Sequence, residues 1–189
     1  MIKKVKREML IAVVIFLLIF NLLSLPVWII IYLDITFPKL QTLLASSLEH
    51  VLNFLNVETR RKGFVLLLAD PKMPHIVIDA DCIGWKSMLM FFALVLATPI
   101  KFGKKVGNLK NKIKNYFPKT KLEALAIGIP ILFIINFLRI LTTILIGYHF
   151  GVSYFTFVHT ILWREGLILA VILIWFLWLR KQKYIIKQK

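Results

Sequence analysis

The sequence predicts an all-α integral membrane protein with about four transmembrane helices, an interfacial amphipathic helix and a small extracytoplasmic β-hairpin. Hydrophobic residues make up 59% of the 189 residues, and the mean hydropathy of +0.80 exceeds what a soluble core can use. The apolar residues form long runs. The net charge of +16 is concentrated at the ends of those runs, as membrane topology requires. This distribution argues against a nucleic-acid-binding protein.

The first apolar run, residues 9–33, contains no charged residue. As a helix it would extend about 37 Å, which is enough to cross a bilayer. No small-residue cleavage site follows it, so we expect a retained transmembrane helix and not a signal peptide. Further spans are predicted at residues 83–100, 122–148 and 159–179. Residues 1–189 are therefore expected to form a single membrane domain.

The segment 34–82 has a different character, because apolar and polar residues alternate within it. Residues 38–56 carry leucines at helical spacing, which predicts an amphipathic helix that lies in the interface or packs on the spans. Residues 63–69 and 75–79 are short and rich in valine, leucine and isoleucine, and residues 70–74 between them have turn composition. A β-hairpin is therefore expected just before Cys82.

The distribution of basic residues predicts the orientation. The first eight residues contain four Lys or Arg, the loop 101–121 contains eight lysines and no acid, and the tail from Arg180 contains five. The segment 34–81 has five basic and six acidic residues. By the positive-inside rule, both termini and the lysine-rich loop face the cytoplasm. The hairpin, Cys82 and His159 then face outward.

Three residues distant in sequence are predicted to meet at that outer level. Cys82 is the only cysteine, which leaves an inert packing thiol, an intermolecular link or a nucleophile. Arg139 lies inside the third span, where a charge is costly and indicates function, a pair with Glu165 or a capping contact to helix ends. His159 opens the fourth span and can move a proton near neutral pH. No metal-ligand spacing or phosphate-binding loop is present, so no metal or cofactor is predicted.

The electrostatics around the thiol point in two directions. Cys82 is expected in the first turn of the second span, with Asp81 as its N-cap. A helix N-terminus, Lys86 one turn later and Arg139 would each lower the thiol pKa. The carboxylates of Asp79 and Asp81 would raise it, so the net direction stays open.

The surroundings of the third and fourth spans give further expectations. Asn136 shares a helical face with Arg139, so both are expected to point into a packed interior. Residues 149–158 are predicted to be a short loop. The aromatic residues in and beyond it are interpreted most simply as an interface belt, and alternatively as a contact surface for an apolar substrate segment: Tyr154, Phe155, Phe157 and Trp163. Arg164 and Glu165 form a local ion pair or contact substrate, two interpretations that the sequence leaves open.

These motifs together resemble a known family. Residues 81–87, Asp-Cys-Ile-Gly-Trp-Lys-Ser, resemble the Cys-x-Gly-x-x-Ser stretch of the exosortase/archaeosortase transpeptidases. Residues 136–139, Asn-Phe-Leu-Arg, resemble their Asn-x-x-Arg helix motif, and His159 resembles their third position. The similarity extends over about residues 40–179. The small number of spans favours the compact archaeosortase-type members.

The resemblance implies a function and a partner. Cys82 would be the nucleophile, Arg139 the stabiliser of the thiolate or oxyanion, and His159 the general acid and base. The supporting residues would be Asn136, Lys86, Gly84 and Ser87. The substrates would be exported proteins with a C-terminal motif, a transmembrane segment and a basic tail, transferred through a thioester to an acceptor such as a membrane lipid.

Two other functions remain open on the sequence. A membrane thiol protease would use the same residues with water as the acceptor. A non-enzymatic helical scaffold would keep Arg139 as a structural charge, and would not need the thiol of Cys82.

Overall fold

The computed structural model describes residues 2–70, 75–98, 119–161 and 165–187, with side chains from residue 10 to residue 182. The described part is mostly helical, as predicted, with one small antiparallel sheet. A 3-10 helix, Ala80–Ile83, carries the cysteine. The other elements, in chain order, are α1 Ile2–Tyr32, α2 Pro38–Phe54, β1 Thr59–Lys62, β2 Val65–Leu68, β3 His75–Val77, α3 Trp85–Ala97, α4 Lys119–Phe150, α5 Val152–Ile161 and α6 Leu167–Lys187.

The helices α1, α3, α4 and α6 pack together as a bundle. Within the described residues, two helical stretches are long and apolar enough to cross a membrane, Leu10–Tyr32 and Lys119–Phe150, and α3 is a shorter apolar helix. Large apolar side chains cover the outside of α1, where Leu18 is 66% exposed and Trp28 is 67% exposed. Such a surface is costly in water and suited to lipid. These features are those of a membrane protein.

One end of the bundle is fixed by polar contacts between three helices. The ammonium of Lys121, in the first turn of α4, donates to the carbonyl of Leu96 at the end of α3, at 2.6 Å. The indole of Trp175 in α6 donates to the hydroxyl of Thr98 at 2.9 Å. A lysine at this position stabilises the carbonyl end of α3. The end of α3, the start of α4 and the later part of α6 therefore lie at one level.

Lys121 was predicted to be the last residue of the lysine-rich loop 101–121, but it lies in the first turn of α4. Its side chain is only 1% exposed, because it reaches into the gap between α3 and α4 to cap a carbonyl. The helix α4 already begins at Lys119. The remainder of the predicted loop, residues 101–118, lies outside the described residues.

The β-structure before the cysteine is larger than the predicted hairpin. Three strands form an antiparallel sheet in the order β1-β2-β3. The predicted hairpin corresponds to β2 and β3, in which Leu66 faces Ile76. The additional strand β1 was missed because its sequence is Thr-Arg-Arg-Lys, which has the composition of a loop. The predicted turn at 70–74 lies outside the described residues except for Asp70.

The predicted amphipathic helix is present as α2. Its apolar face packs on the sheet and on α4, and the shared core consists mainly of Leu44, Leu48, Leu52, Leu66, Ile78, Ile140 and Ile144. The side-chain amide of Gln41, on the same face, donates to the carbonyl of Ile78 at 2.9 Å. The part of the protein that contains α2 and the sheet therefore has its own hydrophobic core. Of the two predicted placements of α2, in the interface or packed on the spans, the contact with α4 supports the second.

The chain after α4 differs from the prediction. Residues 149–158 are not a loop, because α4 continues to Phe150 and the next helix starts at Val152. Between them, Gly151 adopts a φ of +93°, which glycine tolerates without strain, and its N–H donates to the carbonyl of Gly147 at 2.8 Å. His159 consequently lies in the last turn of the short helix α5 and does not open the last long helix, which begins at Leu167.

Candidate active site

Cys82 lies in the 3-10 helix that connects the sheet to the helical bundle. Its N–H donates to the carbonyl of Asp79 at 3.0 Å. The next element begins after Gly84, whose φ of +79° is left-handed, so the chain changes direction between the cysteine and α3. The expectation that Cys82 occupies the first turn of α3 with Asp81 as N-cap is therefore wrong. The residue at that cap is Gly84, and the described caps include no side-chain bond from Asp81.

Asn136 holds this segment from the side of α4. Its side chain is 1% exposed, and its Nδ2 donates to the backbone carbonyl of Cys82 at 2.7 Å. A Cβ placed on Gly84 would lie 2.9 Å from Cγ of Asn136, which is closer than ordinary packing allows. The glycine therefore serves two needs at once, a left-handed backbone and a close approach of the amide. Both residues were expected to support the nucleophile, and the structure places both beside it.

Arg139 lies one turn after Asn136 on α4 and is 8% exposed. Two of its donor atoms, Nε and Nη1, are buried and have no hydrogen-bond partner within the described part of the chain. The two salt bridges described, Arg61–Glu49 and Lys86–Asp81, do not involve it. Buried guanidinium donors are costly to leave unpaired, so this side chain is suited to bind an oxygen that arrives with a ligand.

The short helix α5 carries His159 to the same place. The imidazole stacks on the ring of Phe155, one turn earlier, with ring centroids 5.6 Å apart and an interplanar angle of 12°. Together with Cys82 and Arg139, both rings line a small internal cavity of about 40 Å³. Three residues that are separated by 57 and 20 positions in sequence are thus brought to one cavity.

An open cleft of about 880 Å³ lies directly outside this cavity. Cys82, Phe155 and His159 line both spaces. The rim of the cleft is acidic, since it includes the carboxylates of Asp34, Asp79 and Asp81, and it also includes Gln41, His75 and Val77. A ligand as large as several amino-acid residues could enter from outside and present one group to the cysteine and the arginine.

The thiol and the imidazole are both held in their neutral forms. Burial raises the pKa of Cys82; a backbone hydrogen bond from Asp79 and the charge of Arg139 oppose this, while the carboxylates of Asp79 and Asp81 add to it. Burial lowers the pKa of His159, the charge of Arg139 lowers it further, and Asp79 opposes both. Both pKa shifts therefore favour a neutral thiol and a neutral imidazole next to the buried Arg139 over a preformed thiolate and imidazolium.

Lys86 and Ser87 lie elsewhere. The ammonium of Lys86 donates to the carboxylate of Asp81 at 2.7 Å and lies 5.6 Å from the centroid of the Trp85 ring. Both residues line a separate groove of about 430 Å³ between α1, α3 and α6. Lys86 is not among the causes of the shift in the thiol pKa. The structure brings together Cys82, Arg139, His159, Asn136 and Gly84, and not these two.

Sequence reasoning missed the contribution of Phe155 to the site. It was grouped with Tyr154 and Phe157 as an interface belt or a contact surface for substrate, whereas it packs against the histidine and lines both spaces. The available signal was the spacing of four residues between Phe155 and His159, which places both rings on one helical face. That signal was hidden because the segment was interpreted as a loop. Arg164 lies outside the described residues, and Glu165 lies in the π-helical turn that precedes α6.

Comparisons with known proteins give one family. The sequence model of the family described as transmembrane exosortase matches residues 7–107, which is more than half of the chain. The matched region includes Cys82 and Gly84, and it ends before α4. No significant match was found among curated proteins or among solved structures. Within the described residues, no group of three or more His, Cys, Asp or Glu side chains could hold a metal ion.

Proposed function

The chain belongs to the transmembrane exosortase family, and on that premise we propose that it is a membrane cysteine transpeptidase. It cleaves a C-terminal sorting signal of exported proteins through a thioester and transfers them to an acceptor amine, such as that of a membrane lipid. The observation that supports this most is the shared cavity of Cys82, Arg139 and His159, in which two buried donors of the arginine have no partner within the described residues.

The first half of the reaction uses all three side chains. The carbonyl oxygen of the scissile peptide bond accepts from the free donors of Arg139, which polarises the carbonyl carbon. The Sγ of Cys82 attacks that carbon as its proton passes to the neutral His159. The tetrahedral intermediate carries its negative charge on the oxygen held by Arg139. When it collapses, the C–N bond breaks, His159 returns the proton to the leaving amine, and a thioester remains on Cys82.

The second half reverses these roles. The nitrogen of the acceptor amine attacks the thioester carbon while His159 takes a proton from that amine. The oxyanion again lies at Arg139. Collapse expels the thiolate of Cys82, which is reprotonated by His159, and leaves an amide between substrate and acceptor. The raised thiol pKa is consistent with this sequence, because the proton moves as the bond forms and a stable thiolate is not required.

The fold also supports an outward-facing site. The start of α1, the start of α4 and the end of α6 lie at one end of the bundle, and each adjoins a basic stretch of the sequence, while the sheet, α2 and Cys82 lie at the other end. By the positive-inside rule, we place the first end in the cytoplasm and the cleft outside. The transmembrane segment of a substrate could then lie beside the bundle, with its basic tail inside and its scissile bond at the cleft.

The test is co-expression with an exported protein from the same genome that ends in a motif, an apolar segment and a basic cluster. We expect mass spectrometry to find a shortened substrate whose new C-terminus carries the acceptor mass, and only full-length substrate with Cys82→Ala. A shortened substrate with a free carboxylate would indicate the thiol protease. Processing that is unchanged by Cys82→Ala would refute both enzymes and favour the scaffold.

A further inference from the structure

The strand β3 is an edge strand whose open side lies on the cleft. Among the described residues it pairs only with β2, since the order of the sheet is β1-β2-β3. Its residues His75, Ile76 and Val77 all line the cleft that contains Cys82. The chain continues directly from β3 into the 3-10 helix of the cysteine, so the edge and the nucleophile are close along one backbone.

The register shows which backbone groups of β3 are unpaired. The N–H of Ile78 donates to the carbonyl of its antiparallel partner Phe64 at 3.0 Å, so the backbone groups of Ile78 face toward β2 at a hydrogen-bonded position. Hydrogen-bonded pairs alternate along an antiparallel ladder. Ile76 therefore also bonds toward β2, whereas the N–H and C=O groups of Val77 and His75 point away from it. Both residues are exposed, with Val77 at 44%.

We propose that this open edge binds the substrate backbone as an added β-strand, so that an extended sorting peptide pairs with Val77 and His75 and its scissile carbonyl lies over Cys82. This deepens the proposed function and rests on it, because it names the substrate as an extended peptide recognised through its main chain. Edge strands are usually blocked by charge, proline or a covering element. Here the edge is short, apolar at Val77 and open to the cleft. The affinity would come from hydrogen bonds to the main chain of the substrate. The specificity for the motif would come from every second side chain of the substrate, because alternate side chains of a strand face the same side.

The experiment measures alkylation of Cys82 in the full chain in detergent, and it does not require transpeptidation. The probe is acetyl-tetra-alanine chloromethyl ketone, in which the thiol displaces chloride from a short extended peptide. Iodoacetamide, which has no peptide backbone, is the reference. Chloromethyl ketones can also alkylate histidine, so the Cys82→Ala chain gives the background. Because the chain contains one cysteine, the increase in intact mass that is absent from Cys82→Ala reports this site alone. The measured quantity is the ratio of the two rate constants.

The informative variant is Val77→Pro. It removes an N–H that points to the open edge and leaves the bonds of Ile76 to β2, and edge strands tolerate proline at such a position. We expect the ratio to fall about fivefold, the factor that one net hydrogen bond contributes at room temperature. The matched control Val77→Ala keeps the N–H and changes only a side chain that lines the cleft, so it should lower the ratio clearly less than Val77→Pro. An unchanged ratio in Val77→Pro, or an equal fall in Val77→Ala, would overturn the proposal.

A second measurement keeps the proposal testable if Val77→Pro does not fold. The native chain is treated with chloromethyl ketones that carry a single N-methyl group at successive alanines. We expect methylation to slow the reaction at alternate positions, because only every second N–H of the added strand faces β3. Equal effects at all positions, or none, would contradict edge pairing. If Val77→Pro instead converts a dimer to a monomer in detergent, the edge pairs with a second copy of the chain, and the proposal is also wrong.

Discussion

Replacing Gly84 with alanine should destabilise the protein through two separate effects. The first is local, because the φ of +79° at this position disfavours any residue with a Cβ. The second is a clash, because the new methyl group would lie 2.9 Å from Cγ of Asn136. The amide would have to move, and its 2.7 Å hydrogen bond to the carbonyl of Cys82 would be lost.

The two effects have different expected magnitudes. A left-handed backbone costs about 1–2 kcal/mol for a residue other than glycine. Loss of the donor to the partly buried carbonyl of Cys82 costs about 1–3 kcal/mol. The free energy of unfolding should therefore fall by about 2–5 kcal/mol in Gly84→Ala. The protein offers a matched control in Gly63→Ala, where φ is +65° and no atom lies within 4 Å of the added Cβ.

The assay is reversible unfolding in mixed detergent micelles, followed by helical circular dichroism, with both glycine variants measured side by side. The difference between them isolates the clash with Asn136. In an Asn136→Ala background, Gly84→Ala should cost less than in the native background and approach the cost of Gly63→Ala, because the two closest atoms, Cγ and Nδ2 of Asn136, are absent and only the Cβ contact at 3.3 Å remains. Equal destabilisation by Gly84→Ala and Gly63→Ala in the native background would refute this account of the glycine.

Three further results are expected. Arg139→Lys should lower substrate processing about 100-fold, because an ammonium cannot reproduce the planar donor pair, and full activity would contradict the oxyanion role. The rate of alkylation of Cys82 by iodoacetamide should rise with pH, and the midpoint of that rise should lie above the midpoint of an exposed cysteine measured alongside. A positive charge favours the thiolate and a negative charge opposes it. Arg139→Gln should therefore move the midpoint to higher pH, and Asp79→Asn should move it to lower pH. Lys121→Met should lower the unfolding free energy by about 1–3 kcal/mol by leaving a helix-end carbonyl unpaired, while the same change at the exposed Lys119 should have almost no effect.

The long helices and the meeting of the main site residues could be predicted from sequence because hydropathy and loop charge are strong signals. Counting apolar runs was enough to place Cys82 and His159 at the same end of the bundle, and helical rise placed Arg139 within reach of both. The amphipathic pattern of α2 was equally clear, because its leucines repeat with the helical period.

Other features depended on contacts that no local pattern encodes. The helix α5 was missed because a single residue, Gly151, separates it from α4. No loop-like stretch of sequence marks where one helix ends and the other begins. The strand β1 was missed because it lies at the edge of the sheet, where Arg60 and Lys62 can face solvent. In both cases tertiary packing outweighs composition.

The charges of the site were the least predictable part. The sequence allowed Lys86 to act on the thiol, but the left-handed Gly84 turns α3 away from the cysteine, and the lysine pairs with Asp81 instead. The direction of the thiol pKa depended on burial, which the sequence does not state. Lys121 was assigned to the lysine-rich loop because counting Lys and Arg residues does not distinguish a buried lysine from an exposed one.

The claim that Cys82 carries the substrate as a thioester can be measured directly. The full chain is co-expressed with a tail-bearing exported protein, purified rapidly at low pH, and its intact mass is recorded before and after hydroxylamine. The account predicts an adduct equal in mass to the cleaved substrate, present on the native chain, removed by hydroxylamine and absent from Cys82→Ala. Normal substrate processing by Cys82→Ala, with no adduct on the native chain, would contradict it.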